Sequence, residues 1–200
     1  RLSIGIQSFD DEVLRVMNRR HDAAAAIRAV EVARAVGVDN ITIDLIYGLP
    51  FGPKDALARS LEQTIALDVE HVSAYHLTIE PNTRFGRMAA RGELVPVPDE
   101  ESERQYNQVH TTLTEVGYDH YEISNFARED RRSRHNSSYW QSQLYLGIGP
   151  AAHSFDGENR VWAMASVAEY LAGVDRGECY ESEHLTATDR YNETIMTSLR

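Results

Sequence analysis

The stretch Ile41-Thr42-Ile43-Asp44-Leu45-Ile46-Tyr47-Gly48-Leu49-Pro50 decides the fold class of this chain. Its odd-numbered positions from 41 to 45 are aliphatic and positions 42 and 44 are polar, so the alternation predicts a β-strand over Ile41–Tyr47 with one apolar face. Gly48-Leu49-Pro50 ends the predicted strand. Asp44 is a carboxylate inside a hydrophobic strand and needs a partner. The pattern leaves open whether that partner is a salt bridge, loop amides or a ligand with hydroxyl or ammonium groups.

Strands and helices alternate on both sides of this stretch. Strand, helix, strand, helix, strand at a spacing of roughly 30–40 residues indicates βαβ units and a parallel sheet. Asp10 or Asp11 is placed to cap the first short helix, and Asp22 is placed to cap the second. Gly37 lies where the second helix is expected to end. The other predicted elements are strands Leu2–Ser8 and His71–Leu77 and helices Glu12–Asn18, Asp22 to Gly37 and Lys54–Leu67.

One face of each predicted strand is small or polar. Ser3, Gly5 and Gln7 share a parity in the first strand, as do Ala74, His76 and Thr78 in and after the third. A doubly wound sheet is usually apolar on both faces, so a barrel or half-barrel around a ligand fits better. Because such folds place their site at the carboxyl ends of the strands, we expect Gln7, Asp44 and Thr78 at one rim.

After Pro81 the pattern changes from βα units to an α+β arrangement. We expect three parts, with residues 1–81 as barrel, 82–155 as an α+β subdomain and 156–200 as the start of a helical region. The predicted elements are a helix at Arg84–Arg91, a helix capped by Asp99 that runs to Val116, a strand at Tyr118–Phe126, a polar loop at Ala127–Asn136, a strand-like segment at Leu144–Phe155 and a helix opened by a capping box at Ser166–Glu169.

Composition excludes several classes of protein. The 200 residues include 20 basic and 31 acidic side chains, so the net charge is 20 − 31 = −11, which argues against nucleic-acid binding. No apolar run approaches the roughly 20 residues of a membrane-spanning helix, and no secretory signal is visible in the sequence. Cys179 is the single cysteine, so we expect no disulfide framework, a reducing compartment and a cytoplasmic location. The chain opens without Met in strand-like sequence, so we expect a piece of a longer protein.

The densest polar and aromatic cluster is His135-Asn136-Ser137-Ser138-Tyr139-Trp140. Imidazole can ligate haem iron, and Tyr and Trp can stack on a flat macrocycle. The cluster equally fits an aromatic anchor that fastens a loop to the core. Gln7 and Arg19 leave the same choice open, since an amide at a strand end and an arginine after a short helix are often only structural.

The ordered motifs resemble the radical S-adenosylmethionine proteins related to oxygen-independent coproporphyrinogen III oxidase. The resemblance rests on residues 1–9, Asn18-Arg19 and Ile43–Pro50. Tyr121–Ala127, the His135-Asn136-x-x-Tyr139-Trp140 motif and Tyr145–Gly149 are similar to the haem chaperone branch of that family. Because genuine coproporphyrinogen oxidases lack the His-Asn-x-x-Tyr-Trp motif, we prefer a haem chaperone to the decarboxylating enzyme of porphyrin biosynthesis.

The resemblance implies a partial (β/α)6 barrel, of which this α/β chain holds the fourth to sixth strands. It assigns Gln7, Arg19, Asp44 and, more weakly, Thr78 to S-adenosylmethionine, with Asp44 on the ribose hydroxyls. It assigns His135, Asn136, Tyr139 and Trp140 to haem. The implied cofactors are S-adenosylmethionine, a 4Fe-4S iron-sulfur cluster and haem, and the implied partners are haem-accepting apo-proteins.

One family feature is absent from this sequence. The Cys-x-x-x-Cys-x-x-Cys run that holds the cluster does not occur, and Cys179 cannot replace it. Three hypotheses therefore stand: a haem chaperone with a non-enzymatic or atypical role, a coproporphyrinogen III oxidase, and a barrel fragment without a ligand. Open strand edges leave room for a homodimer, and peripheral membrane contact is compatible with the sequence.

Overall fold

The structure is a computed structural model that describes residues 1–199. It divides into two compact units, residues 1–132 and the residues from Ser133 onward. The three-part division at residues 81 and 155 stays a prediction. Within residues 1–199 no helix combines the length and apolar character needed to cross a membrane.

The first unit is a mixed five-stranded sheet with helices on one face. The strand order is β1-β2-β3-β5-β4, in which β1, β2 and β3 run parallel and β5 and β4 are antiparallel. The parallel βαβ arrangement predicted from the sequence is thus confirmed. The elements are β1 (Leu2–Gln7), α1 (Asp11–Val16), α2 (Ala23–Ala35), β2 (Ile41–Tyr47), α3 (Ala56–Leu67), β3 (His71–His76), α4 (Arg84–Ala90), α5 (Asp99–Glu115), β4 (Asp119–Glu122) and β5 (Asn125–Ala127).

The hydrophobic core lies between the sheet and α2, α3 and α5. The aliphatic side chains of β2 at positions 41, 43 and 45 are each at most 1% exposed and pack there, as the alternation predicted. The opposite face of β2 carries Thr42 and Asp44. Since burial of these aliphatic groups stabilises the fold by about 25 cal/mol per Å², the register of β2 is firmly set.

Three local predictions in this unit are wrong. Residues 118–126 form no single strand but the hairpin β4–β5, which turns at Ile123 and Ser124. Asp99 is the first residue of α5, and Pro98 is its N-cap. Ala74 packs in the core on the helix side, and the His76 ring meets Ser102 of α5 at 3.0 Å, so this parity of β3 faces the helices.

The second unit joins a three-stranded antiparallel sheet to short helices. Its strand order is β6-β7-β8. Within residues 144–155 only the last three form a strand, because Gly147 and Gly149 interrupt the ladder. Tyr145 nevertheless pairs with Phe155 as an isolated bridge. Ser166 caps its helix by accepting the Glu169 N–H. The elements are α6 (Arg134–Trp140), β6 (His153–Phe155), β7 (Asn159–Ala163), α7 (Val167–Gly173), β8 (Tyr180–His184) and α8 (Ala187–Ser198), with a 3-10 turn at Val174–Arg176.

Candidate functional site

Gln7 ends β1 in an unusual backbone conformation. The register of β1 against β2 slips between Ile4 and Gln7, so β1 carries a bulge there. Gln7 has φ +72°, in the left-handed region that residues with a Cβ rarely adopt. Gly5 is exposed, and the Gln7 Nε2 lies 2.7 Å from the point where a Cβ on Gly5 would stand. The glycine thus gives the carboxamide room to lie across the inner face of the sheet, the face opposite α2, α3 and α5.

Asp44 points to the same place from the neighbouring strand. Its Oδ2 lies 4.0 Å from that same Cβ position on Gly5, so the carboxylate and the Gln7 amide converge there. Burial raises the pKa of Asp44 from its ordinary value, and a hydrogen bond from the Ser73 side chain opposes that rise. The Gln7 carboxamide has no hydrogen-bond partner within residues 1–199. Together the two side chains offer donors and acceptors suited to hydroxyl groups.

Asp44 belongs to a polar row that crosses the inner face of the sheet. The register places Asp44 beside Ser73, Ser73 beside Asn125 and Asn125 beside Glu122. The Asn125 amide donates to the Glu122 carboxylate, and both residues are buried. The inner face is therefore polar over four strands.

His71 lies two residues before Ser73 on the same face of β3, beside Thr42 of β2. Its Nε2 is 2.7 Å from the Tyr121 hydroxyl, and burial, aided by the positive charge of Arg1, lowers the pKa of His71 to about 4. Within residues 1–199, Thr42 Oγ1, His71 Nδ1 and Asn125 Oδ1 are buried without a hydrogen-bond partner. His71 is therefore a neutral imidazole at physiological pH.

Arg19 and Thr78, the other two residues assigned to S-adenosylmethionine by the resemblance, make no hydrogen bond or ion pair with Gln7 or Asp44 within residues 1–199. Arg19 follows α1 and is exposed, and its guanidinium makes no hydrogen bond or ion pair within residues 1–199. Thr78 is exposed and lies two residues beyond the end of β3. Asp44 is the fourth of seven residues in β2 rather than a terminal one. The expectation that all these side chains stand at strand ends is therefore wrong for Asp44.

A cavity of about 530 Å³ opens at the carboxyl ends of β1 and β2. Its wall includes Gln7 and Ile46, the loop from Leu49 to Lys54, the start of α3 and the start of α5. The Gly48 N–H donates to the Gln105 side chain at 2.8 Å, which fixes the loop against α5. Asp44 is not among its lining residues, and Leu45, Tyr47 and α3 place the cavity on the helix side of the sheet.

The His-Asn-x-x-Tyr-Trp motif forms the helix α6 rather than a loop. Ser133 caps this helix by accepting the Asn136 N–H. The predicted loop over Ala127–Asn136 is wrong at its C-terminal end, because a capping serine followed by helix-compatible residues completes two turns. His135 Nε2 lies 3.2 Å from the Tyr139 hydroxyl, one turn along the same helix face.

Tyr139 and Trp140 line a second cavity of about 370 Å³ inside the second unit. Tyr145, Phe155 and Met196 add apolar surface, and Tyr139 meets Tyr145 edge to face at 4.8 Å. Arg160 also lines this cavity, where Glu183 and Glu193 balance its charge. Aromatic walls of this kind suit a flat apolar ligand. His135 and Asn136 are not among the lining residues.

The chain's own residues do not fit an iron-sulfur cluster. Cys179 is the single cysteine of the sequence and is buried. Within residues 1–199 no three histidine, cysteine or acidic side chains are grouped as metal ligands. By contrast, Gln7 and Asp44, which the resemblance assigns to S-adenosylmethionine, present an amide and a carboxylate over Gly5 that suit ribose hydroxyls.

Sequence reasoning missed the partners that build the site. Gly5 was placed on the polar face, but its role in admitting the Gln7 amide depends on the bulge. Ser73, Asn125 and Glu122 were not singled out, although the Tyr121–Ala127 motif contains two of them. Arg128 and Arg132 pair with Asp68 and Asp119.

Comparison with known proteins identifies the family. Residues 1–63 match the model of the Radical SAM superfamily. The chain is 34% identical over 202 residues to "Heme chaperone HemW" of Bacillus subtilis, covering 100% of this chain and 53% of that protein. It is 35% identical over 204 residues to the protein of the same name from Escherichia coli, covering 100% and 52%.

A mitochondrial relative and a solved structure extend the likeness. "Radical S-adenosyl methionine domain-containing protein 1, mitochondrial" of Mus musculus is 39% identical over 154 residues, 76% of this chain and 35% of that protein. The structure of coproporphyrinogen III oxidase (HemN) from Escherichia coli, described as a radical SAM enzyme, superposes with a TM-score of 0.80 at 24% identity, over 100% of this chain and 49% of that one. That likeness concerns the fold.

The chain spans about half the length of the curated relatives it matches. The full coverage of this chain, the match over β1 to α3 and the shared fold all agree. They confirm the resemblance carried by the sequence motifs. The chain belongs to the radical SAM family of HemW-like haem chaperones and coproporphyrinogen III oxidase-like proteins.

Proposed function

We propose that this chain is the central part of a haem chaperone, which binds haem and passes it to acceptor apo-proteins in the cytoplasm. The names of the relatives from Bacillus subtilis and Escherichia coli support this function. S-adenosylmethionine and a 4Fe-4S cluster serve as cofactors, with the cluster cysteines outside these 200 residues. In this proposal β1, β2 and β3 are the fourth to sixth strands of a partial (β/α)6 barrel.

The convergence of the Gln7 amide and the Asp44 carboxylate over Gly5 carries the cofactor part of the proposal. An ionised Asp44 accepts hydrogen bonds from both ribose hydroxyls, and the unpartnered Gln7 amide binds beside it. Arg19 and Thr78 supply outer contacts.

Asp44→Asn in the whole protein tests the cofactor site. Losing hydrogen bonds to a charged acceptor weakens S-adenosylmethionine binding by about 1.5–3 kcal/mol, which is roughly 10- to 100-fold in Kd. Titration calorimetry measures it. Thr42→Val is the matched control, because Thr42 lies two residues away on the same face and its hydroxyl has no partner within residues 1–199. Unchanged affinity in the Asp44 variant would remove Asp44 from the site.

The aromatic cavity of the second unit supports the haem part of the proposal. Tyr139 and Trp140 face the cavity with Tyr145 and Phe155, so a flat macrocycle has ring surfaces to stack on. In this proposal His135 is the axial ligand or sensor at the edge of the site, and Asn136 shapes its surroundings. The His135 ring is exposed, which leaves it accessible to iron.

His135→Ala, studied by haem difference absorbance, tests this assignment. We expect the variant to bind or deliver haem less well and to melt at an unchanged temperature. His184→Ala is the control, because His184 is an exposed histidine of the same unit that pairs with Asn159. If the His135 variant binds and delivers haem normally, the motif is structural.

The alternative function is the decarboxylating radical enzyme, and one assay of the whole protein distinguishes it from the chaperone. Formation of protoporphyrinogen from coproporphyrinogen III by the whole protein would replace the chaperone with the decarboxylating enzyme. Haem transfer without that product supports the chaperone.

A further inference from the structure

The backbone that follows β1 is held by residues on the helix side of the sheet. Gln7 is in the left-handed region at φ +72°, a conformation that persists in a residue with a Cβ only when its surroundings enforce it. Since the Gln7 carboxamide has no protein partner within residues 1–199, its own side chain does not enforce it. The cause must lie in the residues on either side.

Ser60 of α3 binds the segment that follows Gln7. Its Oγ accepts the Phe9 N–H at 3.0 Å and lies 3.3 Å from the Ser8 Oγ. The Ser8 hydroxyl in turn accepts the Asp10 N–H at 3.1 Å. Ser8 and Ser60 are each only 3% exposed, so water does not compete for these bonds. Two buried hydroxyls thereby fix three consecutive residues directly after Gln7.

Arg59, the neighbour of Ser60, adds an ion pair to the same segment. Its guanidinium binds one oxygen of Asp10, a residue only 8% exposed. The other Asp10 oxygen caps α1 by accepting the Glu12 and Val13 N–H groups at 3.0 Å each. One carboxylate therefore ties the start of α1 to α3.

The segment before Gln7 is held as well. The His21 Nε2 lies 3.1 Å from the Ile6 carbonyl oxygen, the last backbone acceptor before Gln7. Gln7 is thus anchored through its neighbours on both sides, and only its side chain is free. That arrangement preorganises a binding group without occupying it.

We propose that Ser60 and Arg59 are positioning residues for Gln7, which hold Ser8–Asp10 in place and thereby keep the Gln7 carboxamide over Gly5, facing Asp44. The proposal rests on the assignment of Gln7 and Asp44 to S-adenosylmethionine. It names a role for α3 that lies on the outer side of the sheet, away from the ligand face. A rival explanation exists, because Ser8 and Ser60 also line the 530 Å³ cavity and could touch the ligand directly.

Ser60→Ala and Asp10→Asn in the whole protein, with cofactors assembled, test the proposal. Asparagine keeps the cap on α1 but loses the ion pair with Arg59. We expect Ser60→Ala to weaken S-adenosylmethionine binding about 10-fold and Asp10→Asn about 3-fold by calorimetry, at a temperature well below the melting point. Thr64→Val and Asp55→Asn are the controls: Thr64 is a buried hydroxyl one turn along α3, and Asp55 is the other partner of Arg59. Neither control touches residues 8–10, so both should bind normally.

The double variant Gln7→Ala/Ser60→Ala separates positioning from direct contact. If Ser60 acts through Gln7, replacing Ser60 costs nothing further once the Gln7 amide is gone. An equal loss in both backgrounds would overturn the positioning role. Normal binding by Gln7→Ala alone would instead refute the cofactor assignment, whereas weak binding by Gln7→Ala with normal binding by Ser60→Ala would refute only the role of α3. Equal weakening by Thr64→Val would assign the effect to the stability of α3 and overturn the proposal too.

Discussion

Gly5→Ala is a small change that should separate the stability of the fold from the geometry of the site. A Cβ at position 5 would stand 2.7 Å from the Gln7 Nε2, closer than carbon and nitrogen atoms pack. Something must move, and the Gln7 amide moves most easily because it is the free end of a flexible side chain. The Asp44 Oδ2, at 4.0 Å, stays in ordinary contact.

The structure sets the expected magnitudes. Gly5 does not have a positive φ, so alanine is tolerated, and alanine within a strand is favoured over glycine by roughly 0.5–1 kcal/mol. This gain offsets the displacement of the amide, so the free energy of unfolding should change by less than about 1 kcal/mol. The ligand loses one hydrogen bond from a neutral amide, worth about 0.5–1.5 kcal/mol, so affinity for S-adenosylmethionine should fall roughly 2- to 10-fold.

Thermal melting and titration calorimetry on the same preparation measure both quantities. Ser3→Ala is the control, since Ser3 is an exposed residue two positions before Gly5 in the same strand. Unchanged affinity in Gly5→Ala would refute the claim that the amide position over Gly5 matters for binding. A loss of several kcal/mol in stability would show that Gly5 serves packing instead.

Two further predictions concern pH. Burial lowers the pKa of His71 from 6.5 to about 4, so the unfolded chain binds the proton more readily. The free energy of unfolding should therefore fall by up to about 3 kcal/mol as the pH drops from 6.5 towards 4. His71→Gln should flatten this pH profile of the unfolding midpoint, and an unaltered profile would contradict the role of His71. Burial raises the pKa of Tyr118 to about 12 from 10, so stability should hold up to about pH 10 and decline between pH 10 and 12. Tyr118→Phe should remove that decline and, because the Val69 carbonyl loses its hydrogen bond, should lower the free energy of unfolding at neutral pH by about 1–3 kcal/mol in denaturant titrations; equal stability at neutral pH would show that the bond contributes nothing.

The sequence by itself determined the parallel βαβ unit and the face on which Asp44 lies. Alternation over residues 41–47 is a local signal, because neighbouring side chains of a strand point to opposite faces whatever the strand pairs with. The same holds for the cap that Asp22 provides to α2, which involves only the next few residues. The ordered motifs also identified the family, since they combine many positions along one chain.

Only the tertiary structure decided how Gln7 meets Asp44. The bulge in β1 is a property of the register with β2, nearly forty residues away, and the segment after Gln7 is held by the buried Ser60 hydroxyl of α3. The sequence did not predict the orientation of β3, because Ala74 and His76 are compatible with either face of the sheet. Packing against α5 places both on the helix side. Contacts between residues far apart in the chain set these features, and a single sequence carries no local signal for such contacts.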